Sequence, residues 1–150
     1  MKLHRLLIAA ALLAIGSLAS AADGLITVKS PRSAKETMAR LEEVVIKRGL
    51  NVFARIDHAA GAEKIGQSLR PTELLIFGNP QGGTPLMLCE QTSGIDLPLK
   101  ALVWEDSAGQ TWLAYNDPAF LARRHGVPQC PVVASLRKAL AGIAEAAVAP

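Results

Sequence analysis

Residues Glu73 to Met87 read ELLIFGNPQGGTPLM, an apolar run that passes through a glycine-rich turn into a helix start. Pro71-Thr72 stops whatever precedes it, and Glu73 to Phe77 is a short apolar run of the kind that forms a buried strand. Gly78-Asn79-Pro80-Gln81-Gly82-Gly83 then supplies a tight, glycine-rich connection. Thr84-Pro85 carries a helix-start signature, a capping hydroxyl followed by proline in the first turn. Leu86 to Gln91 continues that helix, and Gly94 ends it. A strand that turns directly into a helix marks a chain in which both elements alternate.

The same alternation extends in both directions. Towards the N-terminus, Leu50 to Ile56 (LNVFARI) alternates apolar and polar residues and predicts a half-buried strand. Asp57 to Arg70, rich in Ala, Gly and Glu, predicts a helical turn or a loop between strands. Leu25 to Lys29 (LITVK) predicts a strand that Pro31 breaks. Ser33-Ala34-Lys35-Glu36 spells a capping box, with Thr37, Met38, Leu41, Val44 and Val45 following at helical spacing and Gly49 at the C-terminal position.

Towards the C-terminus, Leu99 to Trp104 and Thr111 to Tyr115 flank the turn residues Asp106-Ser107-Ala108-Gly109 and predict a hairpin. Asn116-Asp117-Pro118 repeats the cap-then-proline signature and opens a short helix, Pro118 to Arg124, ended by Gly126. Val133, Leu136, Leu140, Ile143 and Ala147 fall at three- and four-residue spacing, one apolar face of a last helix packed on the sheet. The fold class is therefore α+β, a single compact domain over residues 23–150.

The first 22 residues carry a different message. Met1 to Arg5 (MKLHR) is basic, Leu6 to Leu18 is apolar without a charge, and Ala19-Ser20-Ala21-Ala22 is a run of small residues before Asp23. That order is the pattern of a secretory signal peptide, cleaved after Ala21 or Ala22. The apolar run falls short of the roughly 20 residues that span a bilayer, so no stable membrane anchor is expected after cleavage. No Cys stands at the cleavage point and no twin-Arg pair precedes the apolar run. A Sec-type signal, not a lipoprotein, and a periplasmic or secreted location are the expectation.

Cleavage also changes the charge. The whole chain carries 16 basic and 13 acidic residues, a net +3, and Lys2 and Arg5 leave with the signal, so the remainder is close to neutral at +1. No long Lys/Arg run remains, which excludes the electrostatic footprint of a nucleic-acid binder.

Several short motifs resemble those of a known family in the same order. They are Phe77-Gly78-Asn79-Pro80 with Gly83-Thr84-Pro85-Leu86-Met87, then Asp96-Leu97-Pro98-Leu99-Lys100 and Val103-Trp104-Glu105-Asp106, then Tyr115-Asn116-Asp117-Pro118 and Arg124-His125-Gly126. The chain resembles the family named domain of unknown function 302, from about Ile26 to about Ala146. The resemblance implies an α+β fold with a mainly antiparallel sheet and a tendency to form homodimers. It implies no reaction, since the family has no established activity.

Chemistry-bearing residues are sparse. The Gly78–Gly83 loop offers backbone N–H groups at a helix start, where anions bind, but it lacks the Gly-Lys-Ser/Thr ending of a phosphate loop, and turn formation alone accounts for its residues. Asn79, Asp96, Lys100, Tyr115, Asn116 and His125 are the polar residues set within the family-like motifs and are the candidate ligand-binding set. Each also has a bland reading. Asp96 braces a turn, Asn116 and Asp117 cap a helix, Lys100 pairs with Asp96 or faces water, Tyr115 packs in a core or dimer interface, and His125 complements a helix dipole. Their concentration at strand ends and adjoining loops keeps a small-molecule pocket in view.

No Gly-x-Ser-x-Gly elbow, Cys-x-x-Cys pair or Cys-x-x-Cys-His motif occurs, so the sequence nominates no catalytic nucleophile, redox motif, haem or other cofactor. His58, His125 and Cys130 match no standard metal-ligand spacing, so no metal is expected. Cys89 and Cys130, an even pair in an oxidising compartment, are a candidate disulfide. The alternative reading buries Cys89 as a small hydrophobe among Leu86, Met87 and Leu88, with Cys130 exposed in a loop between Pro128 and Pro131.

The leading expectation is an exported small-ligand-binding or accessory protein of the cell envelope, homodimeric, with a pocket near the Asn79 loop and the Tyr115-Asn116 strand end. The alternatives are an enzyme using His125 with Asp96 or Asp106 as acid and base, and an interaction protein without a pocket. An apolar pocket free of titratable groups favours binding, whereas Asp, His and Tyr gathered in a concave site favour catalysis.

Overall fold

The computed structural model describes residues 23–150; the signal-peptide reading falls on residues 1–22, outside them. Five strands form one antiparallel sheet in the order β1-β5-β4-β3-β2, with β1 at Leu25–Ser30, β2 at Asn51–Asp57, β3 at Thr72–Gly78, β4 at Leu99–Glu105 and β5 at Thr111–Asn116. Helices α1 (Ala34–Lys47), α2 (His58–Glu63), α3 (Pro80–Cys89), α4 (Pro118–Arg124) and α5 (Val132–Val148) complete the described elements with a 3-10 turn at Gln91–Ile95. The architecture is α+β.

Strand alternation divides the sheet into two faces. Leu75, Phe77, Ala101, Val103, Leu113 and Tyr115 point one way and are buried against Met38, Leu41 and Val45 of α1 and Leu140, Ile143, Ala144 and Ala147 of α5. Full burial of each large aliphatic or aromatic side chain contributes about 1.5–3 kcal/mol, which makes this layer the main source of stability. The alternate residues Leu74, Ile76, Leu102, Trp104 and Trp112 are half-buried. On that face the Trp104 and Trp112 rings stack with centroids 6.4 Å apart.

Local chemistry accounts for most element boundaries. The capping box forms: Ser33 accepts from the Glu36 amide, and Glu36 reaches back to the Ser33 amide at 3.1 Å. The Ser33 hydroxyl and amide together hold the Glu36 carboxyl below the usual carboxylate range. Gly49 follows α1 with a left-handed φ of 72°. Asp57 caps α2 by accepting from the Ala60 amide at 2.8 Å, so the Asp57–Arg70 stretch holds a true short helix followed by a loop. Asp117 caps α4 through the Ala119 amide. Asp106 braces the hairpin, accepting from the amides of Ala108 and Gln110 and from the Trp112 indole.

Helix α3 departs from the sequence reading. It starts at Pro80, not at Thr84, so Gly82 and Gly83 lie inside the helix and Pro85 in its interior. Two cap-proline signatures compete here, Asn79-Pro80 and Thr84-Pro85, and the first wins because the Asn79 side chain accepts from the Gly82 amide at 2.9 Å. The helix also ends earlier than expected, at Cys89, and Gln91–Ile95 forms the separate 3-10 turn.

Candidate functional site

The early start of α3 carries its first turn to the side of α5, and between them lies a cleft of about 590 Å3. One wall is Gly82, Gly83, Thr84 and Met87 of α3. The facing wall is Val132, Ser135, Leu136, Ala139 and Ile143 of α5. Gly78 and Asn79 close the end where β3 passes into α3, Leu97, Pro98 and Leu99 close another, and Leu50 and Phe53 form the rim at β2. The Leu97–Pro98 peptide is cis.

Gly94 is where the close approach calls for glycine, whereas a Cβ on Gly83 makes only an ordinary contact. A Cβ on Gly83 would stand 3.6 Å from the Leu97 side chain, and one on Gly94 would stand 3.3 Å from the Met87 sulfur. The size falls in the roughly 300–1,000 Å3 range of small-molecule sites, which are mostly apolar with a few polar groups. Among the described residues, none of the lining side chains is ionisable; the polar ones are Asn79, Gln81, Thr84 and Ser135.

A second cluster sits behind the cleft segment. His125, the C-cap of α4, places Nε2 at 2.6 Å from Asp96 Oδ2, and its Nδ1 is 3.1 Å from the Thr92 hydroxyl. Arg124 donates to the other Asp96 oxygen at 3.0 Å. Both partners are largely buried, with 8 % of the His125 side chain and 12 % of the Asp96 side chain exposed. Glu90 accepts from the Thr92 amide and hydroxyl, contacts that hold its carboxyl below the usual range, with a smaller contribution from His125. Lys100 donates to the backbone carbonyls of Asp96 and Pro98, both at 2.8 Å. Burial pulls the Lys100 ammonium below its ordinary pKa, and the Asp96 charge opposes that shift.

The six candidate ligand residues are therefore split. Asn79 lines the cleft, although its side chain is committed to capping α3. Asp96, Lys100 and His125 gather in the polar cluster and do not line the cleft. Tyr115 is buried, and with Ile26, Asp117 and Arg137 it borders a separate hollow of about 270 Å3. Burial raises the Tyr115 phenol pKa, with Asp117 and Glu145 adding to the shift and Arg137 opposing it. Asn116 is exposed at the end of β5, so the Tyr115-Asn116 strand end does not share the Asn79 cleft.

Of the two carboxylates considered beside His125, only Asp96 reaches it. Asp106 follows the far end of β4, seven residues long, which at about 3.3 Å per residue puts the two acids roughly 20 Å apart. The α5 wall was not among the residues singled out in the sequence. Ser135 and Ala139 sit one position from the core-facing Leu136 and Leu140, and that flank of the helical stripe was the available signal.

The cysteines meet. Cys89 at the end of α3 and Cys130 just before α5 have Cα atoms 6.1 Å apart, within the range a disulfide spans. Their environments reverse the sequence reading: Cys89 is exposed, while Cys130 is buried in a small core with Leu86, Ala122, Val133 and Leu136.

Comparison with known proteins gives family and fold. The chain is 53% identical over 105 residues to the protein named Fluoride-specific ion channel FluC 1 of Brucella suis biovar 1, a match covering 70% of this chain and 41% of that one. The protein of the same name in Brucella abortus biovar 1 and Fluoride-specific ion channel FluC 2 of Brucella melitensis biotype 1 match equally, at 39% of their length. The chain thus spans about two-fifths of the length of the curated relatives it matches. The crystal structure of an uncharacterized conserved DUF302 protein from Bacillus stearothermophilus superposes with a TM-score of 0.76 at 24% identity, covering 84% of this chain and 99% of that one. A family model described as Domain of unknown function DUF302 matches residues 26–146, and the chain belongs to that family.

Proposed function

We propose that this is an exported small-ligand-binding protein of the cell envelope, and that the α3–α5 cleft is its binding site. The observation that carries the reading is the lining: about 590 Å3 bounded mostly by apolar side chains and glycine backbone, with Asn79, Gln81, Thr84 and Ser135 as its polar side chains and, among the described residues, no ionisable one. Such a site holds an uncharged, largely apolar molecule by burying its surface, at about 25 cal/mol per Å2 removed from water. It offers no proton donor or acceptor for acid–base chemistry. Export rests on the order of basic, apolar and small residues over 1–22.

The 2.6 Å Asp96–His125 contact favours the second reading, an acid–base enzyme. That pair is less suited to the task. Both ring nitrogens of His125 are engaged, so the imidazole has to give up a bond before it can take a substrate proton. The channel names of the Brucella relatives are not carried over, because the shared residues are about two-fifths of those proteins. Homodimerisation stays part of the proposal, supported by the half-buried apolar sheet face around Trp104 and Trp112, and a dimer mass in sedimentation at micromolar concentration tests it.

The test of the cleft is a titration with N-phenyl-1-naphthylamine, an uncharged apolar dye, against the wild type and Ala139→Trp. Ala139 is exposed on α5 at the cleft wall, so the indole occupies the cleft without entering the core. Saturable binding lost in Ala139→Trp is expected. Equal binding by both proteins, or none by either, contradicts the reading.

A further inference from the structure

Helix α3 is held in an unusual way for an element that walls a site. Its one fully buried side chain is Leu86, which packs against Ala122, Val133 and Leu136. Its neighbour Leu88 is 82% exposed. The second anchor is at its C-terminal residue, Cys89, placed opposite Cys130. Cys130 is two residues before α5, whose first turns form the facing wall of the cleft. A bond between the two sulfurs therefore joins the two walls, and without it α3 keeps Leu86 alone as a core anchor.

We propose that Cys89 is a thiol–disulfide exchange site, at which a dithiol reductant opens a Cys89–Cys130 bond and releases α3 from the cleft wall. The asymmetry of burial sets the direction of attack. Exchange needs in-line access of a thiolate to one sulfur, and Cys89 is exposed while Cys130 is 7% exposed within the small core. The incoming thiolate forms a bond to the Cys89 sulfur as the bond to Cys130 breaks. Cys130 leaves as a thiolate and takes up a proton. The second thiol of the reductant then displaces Cys89 from the mixed disulfide, so the reductant ends as its own disulfide and the protein holds two thiols. The two electrons come from the dithiol.

Release falls on the part of the molecule built to move first. The α3 segment has few buried apolar contacts, whereas β3, β4 and β5 carry the main core, so local opening of α3 leaves the sheet intact. The consequence for ligand rests on the cleft reading above, because a loosened α3 no longer presents Gly82, Gly83 and Met87 to α5.

Hydrogen exchange followed by mass spectrometry tests this without any ligand, so a cleft that binds nothing leaves the result standing. Oxidised wild type, dithiothreitol-reduced wild type and Cys89→Ser/Cys130→Ser are compared. Exchange over residues 82–90 is expected to be at least tenfold faster in the reduced protein and in the double variant, with β3, β4 and β5 unchanged. Unchanged exchange over α3, an equal acceleration throughout the sheet, or two free thiols in the oxidised preparation overturns the proposal. Site of attack is read by acid-quenching a reaction with glutathione and mapping the adduct: glutathione on Cys89 is expected, and glutathione on Cys130 overturns the assignment.

Discussion

His125 Nε2 and Asp96 Oδ2 stand 2.6 Å apart across 29 residues of chain, tying the C-terminus of α4 to the end of the 3-10 turn that leads into the cleft segment. Both side chains are largely withdrawn from water, so losing one leaves the other with an unmet hydrogen-bonding group. His125→Ala is expected to lower stability by about 1–3 kcal/mol in urea unfolding. A cycle with Asp96→Asn should show a coupling of about 1 kcal/mol between the two positions. Dye binding in the cleft should persist in His125→Ala, since the imidazole does not line it. Additive effects of the two substitutions would show that the pair is not coupled.

The capping box of α1 makes a second expectation. Ser33→Ala removes the acceptor for the Glu36 amide and should cost about 1 kcal/mol. Ser33→Gly should cost only a few tenths, because glycine leaves the helix end open to water. Urea midpoints for the three proteins check the order.

Asp106 gives a pH dependence. The Trp112 indole first, then the Gln110 and Ala108 amides, hold its carboxyl below the ordinary aspartate range, with Arg70 adding to the shift. A group whose folded pKa is depressed contributes stability that is full above the unfolded value, about 3.9, and is lost as pH falls through the folded value. The stability difference between wild type and Asp106→Asn should therefore be constant above about pH 5 and shrink as the pH drops below about 4. A difference that stays constant down to pH 2 would detach the carboxylate charge from the hairpin's stability.

Gly83 lies within α3 and is absent from the glycines with positive φ, so its backbone suits any residue. A Cβ there meets the Leu97 side chain at 3.6 Å, an ordinary contact. Gly83→Ala should stabilise the protein by about 0.5–1 kcal/mol through the lower entropy of the unfolded chain. Thermal unfolding checks the sign.

Much of this fold was legible because the signals were local. The Ser33–Glu36 capping box, the Asp106–Gly109 turn and the Asp117-Pro118 helix start each involve residues a few positions apart, and each formed as read. The α3 boundary was misread because Thr84-Pro85 and Asn79-Pro80 carry the same signature and only the side-chain bond from Asn79 to the Gly82 amide separates them. The site was less legible because it is made by long-range approach. Nothing in the chain near Asn79 points to Ser135 or Ala139, which arrive only when α5 packs beside α3. Likewise the burial of Cys130 and the exposure of Cys89 depend on which helix face meets Leu136, not on the prolines flanking Cys130.

Uptake of an apolar molecule by the α3–α5 cleft is read residue by residue from an amide chemical-shift map. Isotope-labelled protein is titrated with N-phenyl-1-naphthylamine, and the shifts of every resolved amide are followed. Saturable shifts are expected, concentrated at Gly82, Gly83, Met87, Leu99, Leu136 and Ala139, with the amides of Trp104 and Trp112 unmoved. Shifts centred on Leu74, Leu102, Trp104 and Trp112 would place the apolar binding surface on the opposite face of the sheet and contradict it.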